Sequence, residues 1–245
     1  MLLDDKTILV TGGSRGLGRR LCATFAREGA RVAFNYHSDE QGASATLKEA
    51  ALSGADLRSF KVSVLDKDAI NGMVAVLEKD WGHIDVLVNN AGISQVLPMA
   101  LLEEEDWETV MDINVKGPYL VTRAVLRGMI RRRSGKILNI GSVAGMRLIE
   151  SPVHYAASKA AIKGFTESLA KEVGRYGITV NSLAPGLLEG GVGDNLPAYR
   201  LSDYLKHCAL GRVGTFSEVS ELAAFLVSDE NSYMDGVTLV MDGGL

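Results

Sequence analysis

Thr7-Ile8-Leu9-Val10-Thr11-Gly12-Gly13-Ser14-Arg15-Gly16-Leu17-Gly18 is the stretch that decides the fold. Its first four residues are apolar and β-rich, as expected of a buried strand. A glycine turn follows at once, and from residue 16 to 28 the pattern is helical. Glycine has a physical job between a strand and a helix. The backbone must turn sharply, approach a pyrophosphate and let the helix pack on the strand. The free N–H groups at the helix start then hold the phosphates. The spacing is G-x-x-x-G-x-G, not G-x-G-x-x-G.

Outward from this turn the alternation repeats. Strand-like runs fall at 31–35, 57–62, 84–89, 136–140, 178–183 and 237–240, with helical stretches such as 39–53, 66–81 and 153–176 between them. Seven strands alternating with helices imply an α/β chain: one doubly wound, Rossmann-type domain over 1–245, with a seven-stranded parallel sheet and helices on both faces. Its ligand crevice is expected beyond the carboxyl ends of the strands. Gly29 is placed to stop the first helix, and Ser38 with Gln41 reads as a capping box opening the second. The least regular stretch is 187–214.

The second strand ends Phe34-Asn35-Tyr36-His37, without the carboxylate that holds a ribose 2′-hydroxyl in NAD sites. Arg15 sits inside the glycine loop. It is either a solvated arginine or a partner for a 2′-phosphate. Together these point to NADP(H).

Tyr155 and Lys159 stand at i and i+4, which puts both on one helical face. A free tyrosine titrates near pH 10 and is a poor catalyst at neutrality, but a neighbouring ammonium favours its phenolate. Ser142, thirteen residues upstream, can hydrogen-bond a substrate oxygen as charge develops.

The order of Thr11–Gly18, Asn89-Asn90-Ala91-Gly92, Asn114, Ser142, Tyr155 with Lys159, and Pro185-Gly186 resembles the short-chain dehydrogenase/reductase superfamily over essentially the whole chain. Within it, the segments around Asn114, Ser142 and Tyr155 and the ending Met241-Asp242-Gly243-Gly244 are most similar to β-ketoacyl-(acyl carrier protein) reductases. The resemblance implies roles. Tyr155 is the acid–base residue, and Lys159 holds the nicotinamide ribose and lowers the Tyr155 pKa. Ser142 orients the carbonyl. Asn114 anchors a water that links Lys159 to a proton relay. Gly12, Ser14, Arg15, Gly16, Leu17, Gly18 and Asn35 line the cofactor. Asn90, Ala91 and Gly92 flank its adenosine side, and Pro185 and Gly186 border the nicotinamide. Two departures stand out. Ser63-Val64 replaces the Asp-Val that contacts adenine in relatives, leaving a hydroxyl. A glycine, in Glu189-Gly190-Gly191, falls where relatives carry a threonine for the carboxamide.

The function expected is NADPH-dependent reduction of a β-ketoacyl thioester or polyketide-like carbonyl. The alternative is an NAD(P)-dependent alcohol dehydrogenase for a sugar, steroid or small alcohol. A dinucleotide-sensing regulator without catalysis is disfavoured by the intact tyrosine, lysine, serine and asparagine. The net charge of −4 argues against nucleic acid as partner. His37, His83, His154 and His207 are scattered, so no metal is expected. His154 reads as a surface or packing residue. Arg131, Arg132 and Arg133 are either a solvated helix end or a docking patch for an acidic acyl carrier protein. Two cysteines, no basic-then-apolar start and no membrane-length apolar run lead to the expectation of a cytoplasmic protein. The resemblance adds a homotetramer, and 187–214 is expected to act as a lid.

Overall fold

The computed structural model describes residues 1–51, 54–191 and 198–245. Its strands are β1 Thr7–Thr11, β2 Arg31–Tyr36, β3 Leu57–Lys61, β4 Val86–Asn89, β5 Gly135–Ile140, β6 Ile178–Pro185 and β7 Thr238–Met241. They form one sheet in the order β3-β2-β1-β4-β5-β6-β7, parallel throughout. The helices are α1 Gly16–Arg27, α2 Glu40–Ala51, α3 Lys67–Trp81, α4 Glu104–Met111, α5 Gly117–Arg132, α6 Val153–Val173, α7 Ala198–His207 and α8 Phe216–Val227.

Strands buried on both faces need apolar residues at every position rather than every second one. The sequence supplies this: Ile8, Leu9 and Val10 are all fully buried, pointing alternately to two cores. One core packs α1, α2 and α8 on the sheet through Leu21, Phe25, Phe34, Val219 and Leu226. The other packs α3, α5 and α6 through Leu9, Leu77, Val121, Met129 and Val180. Between the cores a buried polar chain ties four elements. The Asn89 amide donates to Thr122 Oγ1 and Asn139 Oδ1, and the Asn139 amide donates to Thr166 Oγ1.

Strand order reverses between β1 and β4, which opens a crevice at their carboxyl ends. Gly29 takes φ +96° after α1, as its position predicts. The second helix differs from expectation. Asp39, not Ser38, closes its start, accepting from the Gly42 N–H at 2.8 Å. The residue directly before the first helical turn has the reach, and Ser38 lies one position too early. The stretch 187–214 is also more regular than its glycines suggest. Ten residues without Gly or Pro, Ala198–His207, form α7. Of the residues assigned to the lid, 192–197, with Gly193, Leu196 and Pro197, lie outside the described ones. No helix among the described residues is long and apolar enough to cross a membrane.

Candidate active site

The glycine turn sits where β1 ends, and its geometry explains each glycine. A Cβ on Gly18 would collide with Gly12 O and lie 2.6 Å from the Asn90 amide nitrogen; one on Gly13 would lie 2.5 Å from Phe34 Cβ. The turn is therefore pressed against both β2 and the start of the loop after β4. Thr11 Oγ1 fixes that loop by accepting from the N–H groups of Asn90 and Ala91, both at 3.0 Å. The Asn90 amide donates back to Thr11 O and Gly12 O. Thr11 opens the glycine motif with no contact assigned to it there, yet it joins the two halves of the crevice.

At α1, the first-turn N–H groups have no side-chain cap and no acidic residue beside them. Such groups are orphan donors at the positive end of a helix dipole. Arg15 is exposed beside them, and its side chain has no partner among the described residues. The cradle thus fits a pyrophosphate with a further phosphate nearby. Asn35 is buried; its Nδ2 donates to Val62 O at 2.7 Å, and its Oδ1 has no partner among the described residues. Ser63 Oγ accepts from Leu65 N–H at 3.2 Å. Val64 packs against Gly117, where a Cβ would come within 2.9 Å.

At the other end, Ser142, Asn114, Tyr155 and Lys159 converge from three elements. Ser142 follows β5 and caps a short 3-10 turn, Val143–Gly145, by accepting from Ala144 N–H. That turn lies directly on α6: a Cβ on Gly145 would be 2.6 Å from the Lys159 carbonyl carbon. Gly145 is thus what lets the serine approach the helix carrying Tyr155. Asn114 projects from a π-type turn, Asp112–Lys116, which aims a buried side chain inward. Its Nδ2 donates to Ile93 O at 2.9 Å and Ser158 Oγ at 3.0 Å, and its Oδ1 accepts from Ile93 N–H at 2.8 Å. Ser158 Oγ donates to Tyr155 O at 2.7 Å. No direct bond joins Asn114 to Lys159, but both face the same small space. A Cβ on Gly92 would be 3.2 Å from Asn114 Oδ1 and 3.6 Å from Lys159 Nζ.

The electrostatics differ from expectation in one respect. Tyr155 is raised above its ordinary pKa, not lowered, because burial outweighs the opposing effect of the Ser142 hydroxyl. Lys159 donates to Ile140 O at 2.8 Å and its Nζ lies 5.7 Å from the Tyr155 ring centroid. Burial pulls it down from 10.5 to about 8. Both groups are desolvated together, and the loss of water is the largest cause of each shift.

The structure also places His154 and the three arginines at the carboxyl end of α5. His154 is fully buried, with both ring nitrogens unpartnered among the described residues and its pKa lowered by burial. Arg131, Arg132 and Arg133 lie at the amino-terminal edge of the sheet, opposite Tyr155. Arg132 donates inward to Ile84 O at 2.8 Å, Arg133 donates to Arg175 O at 2.7 Å, and Arg131 stands 3.7 Å from Glu78.

The short chain dehydrogenase model matches residues 6–199. The chain is 40% identical to the 3-oxoacyl-[acyl-carrier-protein] reductase of Chlamydia muridarum, covering 100% of this chain and 98% of that one. Among solved structures it is similar to NAD+-bound xylitol dehydrogenase (TM-score 0.93, 30% identity, 100% of both chains). It is similar also to a short chain dehydrogenase from Burkholderia cenocepacia in complex with NADP (TM-score 0.92, 31% identity, 100% and 99% covered). With the crevice, the glycine cradle and the Ser142–Tyr155–Lys159 cluster in place, these likenesses settle the family: the chain is an oxidoreductase of the short chain dehydrogenase family.

Proposed function

We propose that the enzyme uses NADP(H) to reduce the 3-oxo group of an acyl chain carried as a thioester on an acyl carrier protein. The observation that carries this reading is the meeting of Ser142, Tyr155 and Lys159 beyond the carboxyl ends of the strands, where the loops after β4 and β5 carry exposed apolar side chains. Val96, Met99 and Leu101 follow β4; Met146, Leu148 and Val153 follow β5. A surface of that kind suits an alkyl chain better than a polyol. The full-length likeness to a 3-oxoacyl-[acyl-carrier-protein] reductase points the same way.

NADPH, when bound, supplies a hydride to the carbonyl carbon. Ser142 hydrogen-bonds the carbonyl oxygen, and Tyr155 gives its phenol proton to that oxygen as negative charge builds. A phenol whose pKa is raised rests in the protonated, donating form. Lys159, with a pKa of about 8, is mostly charged at neutral pH and steadies the phenolate left behind. Asn114 acts through Ile93 and Ser158, fixing the loop and the helix turn that frame the pair. Arg15 takes the 2′-phosphate, and Gly12, Ser14, Gly16, Leu17 and Gly18 the pyrophosphate. Asn35, Ser63 and Val64 border the adenine; Asn90, Ala91 and Gly92 the adenosine side; Pro185 and Gly186 the nicotinamide. The stretch 187–214 serves as the lid, and Arg131, Arg132 and Arg133 as a carrier docking patch. The enzyme works as a homotetramer, with exposed Tyr233, Val237 and Val240 beside edge strand β7 in one contact.

The likeness to xylitol dehydrogenase supports a second reading, oxidation of a small alcohol. NADPH consumption against 3-oxoacyl thioesters, quinones, sugars and steroids decides between them. The thioesters should give the highest kcat/KM; a polyol turned over faster with NAD+ would establish the second reading.

A further inference from the structure

Lid helix α7 reaches the nicotinamide border through one side chain. Tyr204 accepts a hydrogen bond from the Leu187 N–H at 3.0 Å. Its phenol lies over Gly186, where any Cβ would collide with the phenol oxygen. The ring is held there from both ends of the helix. Arg200 pairs with Glu150 at 2.5 Å, in the loop that follows the catalytic serine. Just past α7, Ala209 and Leu210 N–H groups donate to Gly244 O and Gly243 O, and Cys208 Sγ lies 3.4 Å from Gly243 O. The strip beneath is itself anchored, Gly186 N–H donating to Met241 O at 2.9 Å.

A phenol has one proton to donate and lone pairs to accept with. Here the oxygen accepts from Leu187, and the proton has no acceptor among the described residues. Burial, with Cys208 and Asp242 nearby, raises the pKa of Tyr204 and keeps that proton in place. On the strip itself, Gly190 and Gly191 offer no hydroxyl to a carboxamide. Tyr204 therefore brings to the strip a hydroxyl that Gly190 and Gly191 lack.

We propose that Tyr204 is a cofactor-positioning residue: it fixes the Pro185–Leu188 backbone and donates its phenol proton to the nicotinamide carboxamide. Lid placement and hold on the reactive half of the cofactor are then one event. The inference rests on the NADP(H) reading above.

The test is Tyr204→Phe, which keeps the ring and removes only the hydroxyl. Calorimetry compares NADPH with 2′,5′-ADP, which carries the phosphates and adenosine but no nicotinamide. NADPH should bind about fivefold to tenfold more weakly, the size of one neutral hydrogen bond. Binding of 2′,5′-ADP should stay within about twofold, and KM for NADPH should rise by the same factor as its Kd. NADPH affinity that stays within about twofold of wild type overturns the proposal. So does equal weakening of both ligands, which would mark general damage to the fold. A wild-type protein that binds neither ligand overturns the cofactor reading itself, and Tyr204's role with it.

Discussion

The two ends of the crevice are built on opposite principles. At the β1–α1 end the working feature is absence: Gly12, Gly13 and Gly18 are required because backbone, Phe34 and Asn90 fill the space a side chain would take. At the β5–α6 end the working feature is presence. Ser142, Asn114 and the Tyr155–Lys159 pair come from three elements and are pressed into a largely buried, poorly compensated cluster. Lys159 is desolvated, and Ser94 Oγ, His154 Nδ1 and Nε2 and Ser182 Oγ are buried without partners among the described residues. The first end is shaped for close packing, and the second gives up stability for reactive groups.

Removing a reactive group should therefore cost activity and repay stability. Lys159→Met should cut turnover by about 10²-fold or more. At pH 7 it should raise the melting temperature of the unliganded protein, since Met fills the stem's volume without a buried charge. The sign follows from the depressed pKa. Burial penalises the ammonium fully below about 8, and the penalty fades as pH climbs toward 10.5. The wild type should accordingly gain stability from this group across that window while its reduction rate falls. A Lys159→Met protein that melts lower at pH 7 breaks the contrast.

Filling an absence should cost both at once. Gly18→Ala should destabilise by about 1–3 kcal/mol and abolish NADPH binding, because the neighbour that must give way is Gly12 backbone. Arg15→Ala should spare the fold. It should narrow the preference for NADPH over NADH by about 1.5–3 kcal/mol in kcat/KM, the scale of a hydrogen bond to a charged group. The control is Gly72→Ala in α3, where a Cβ meets nothing within 4 Å. There the change should stabilise by about 0.5–1 kcal/mol in a denaturant titration and leave NADPH binding untouched.

The same contrast governs what could be read from the chain. A requirement for glycine is written at the position that needs it, so the turn at 12–18 and the strand–helix alternation were legible, as was the seven-stranded doubly wound sheet. Tyr155 and Lys159 were legible because helical spacing is local. The pairing of Thr11 with Asn90 and Ala91 was not, since it joins residues far apart in sequence by way of the sheet. Nor was Tyr204 on Leu187, which depends on where α7 lands. Asp39 displaced Ser38 as cap because one residue of register decides reach. The upward shift of Tyr155 was hidden for a different reason: spacing shows that a lysine is near, but not how much water both groups have lost.

The account turns on Tyr155 as proton donor. Tyr155→Phe removes one hydroxyl from a side chain that spacing, burial and the contact with Ser142 all single out. The decisive measurement is NADPH oxidation with a 3-oxoacyl thioester by wild type and variant, with NADPH affinity measured alongside. The predicted result is a fall in kcat of about 10²–10⁴ with cofactor binding preserved. A variant turning over within about threefold of wild type would contradict the account, because the proton would then have to come from another group.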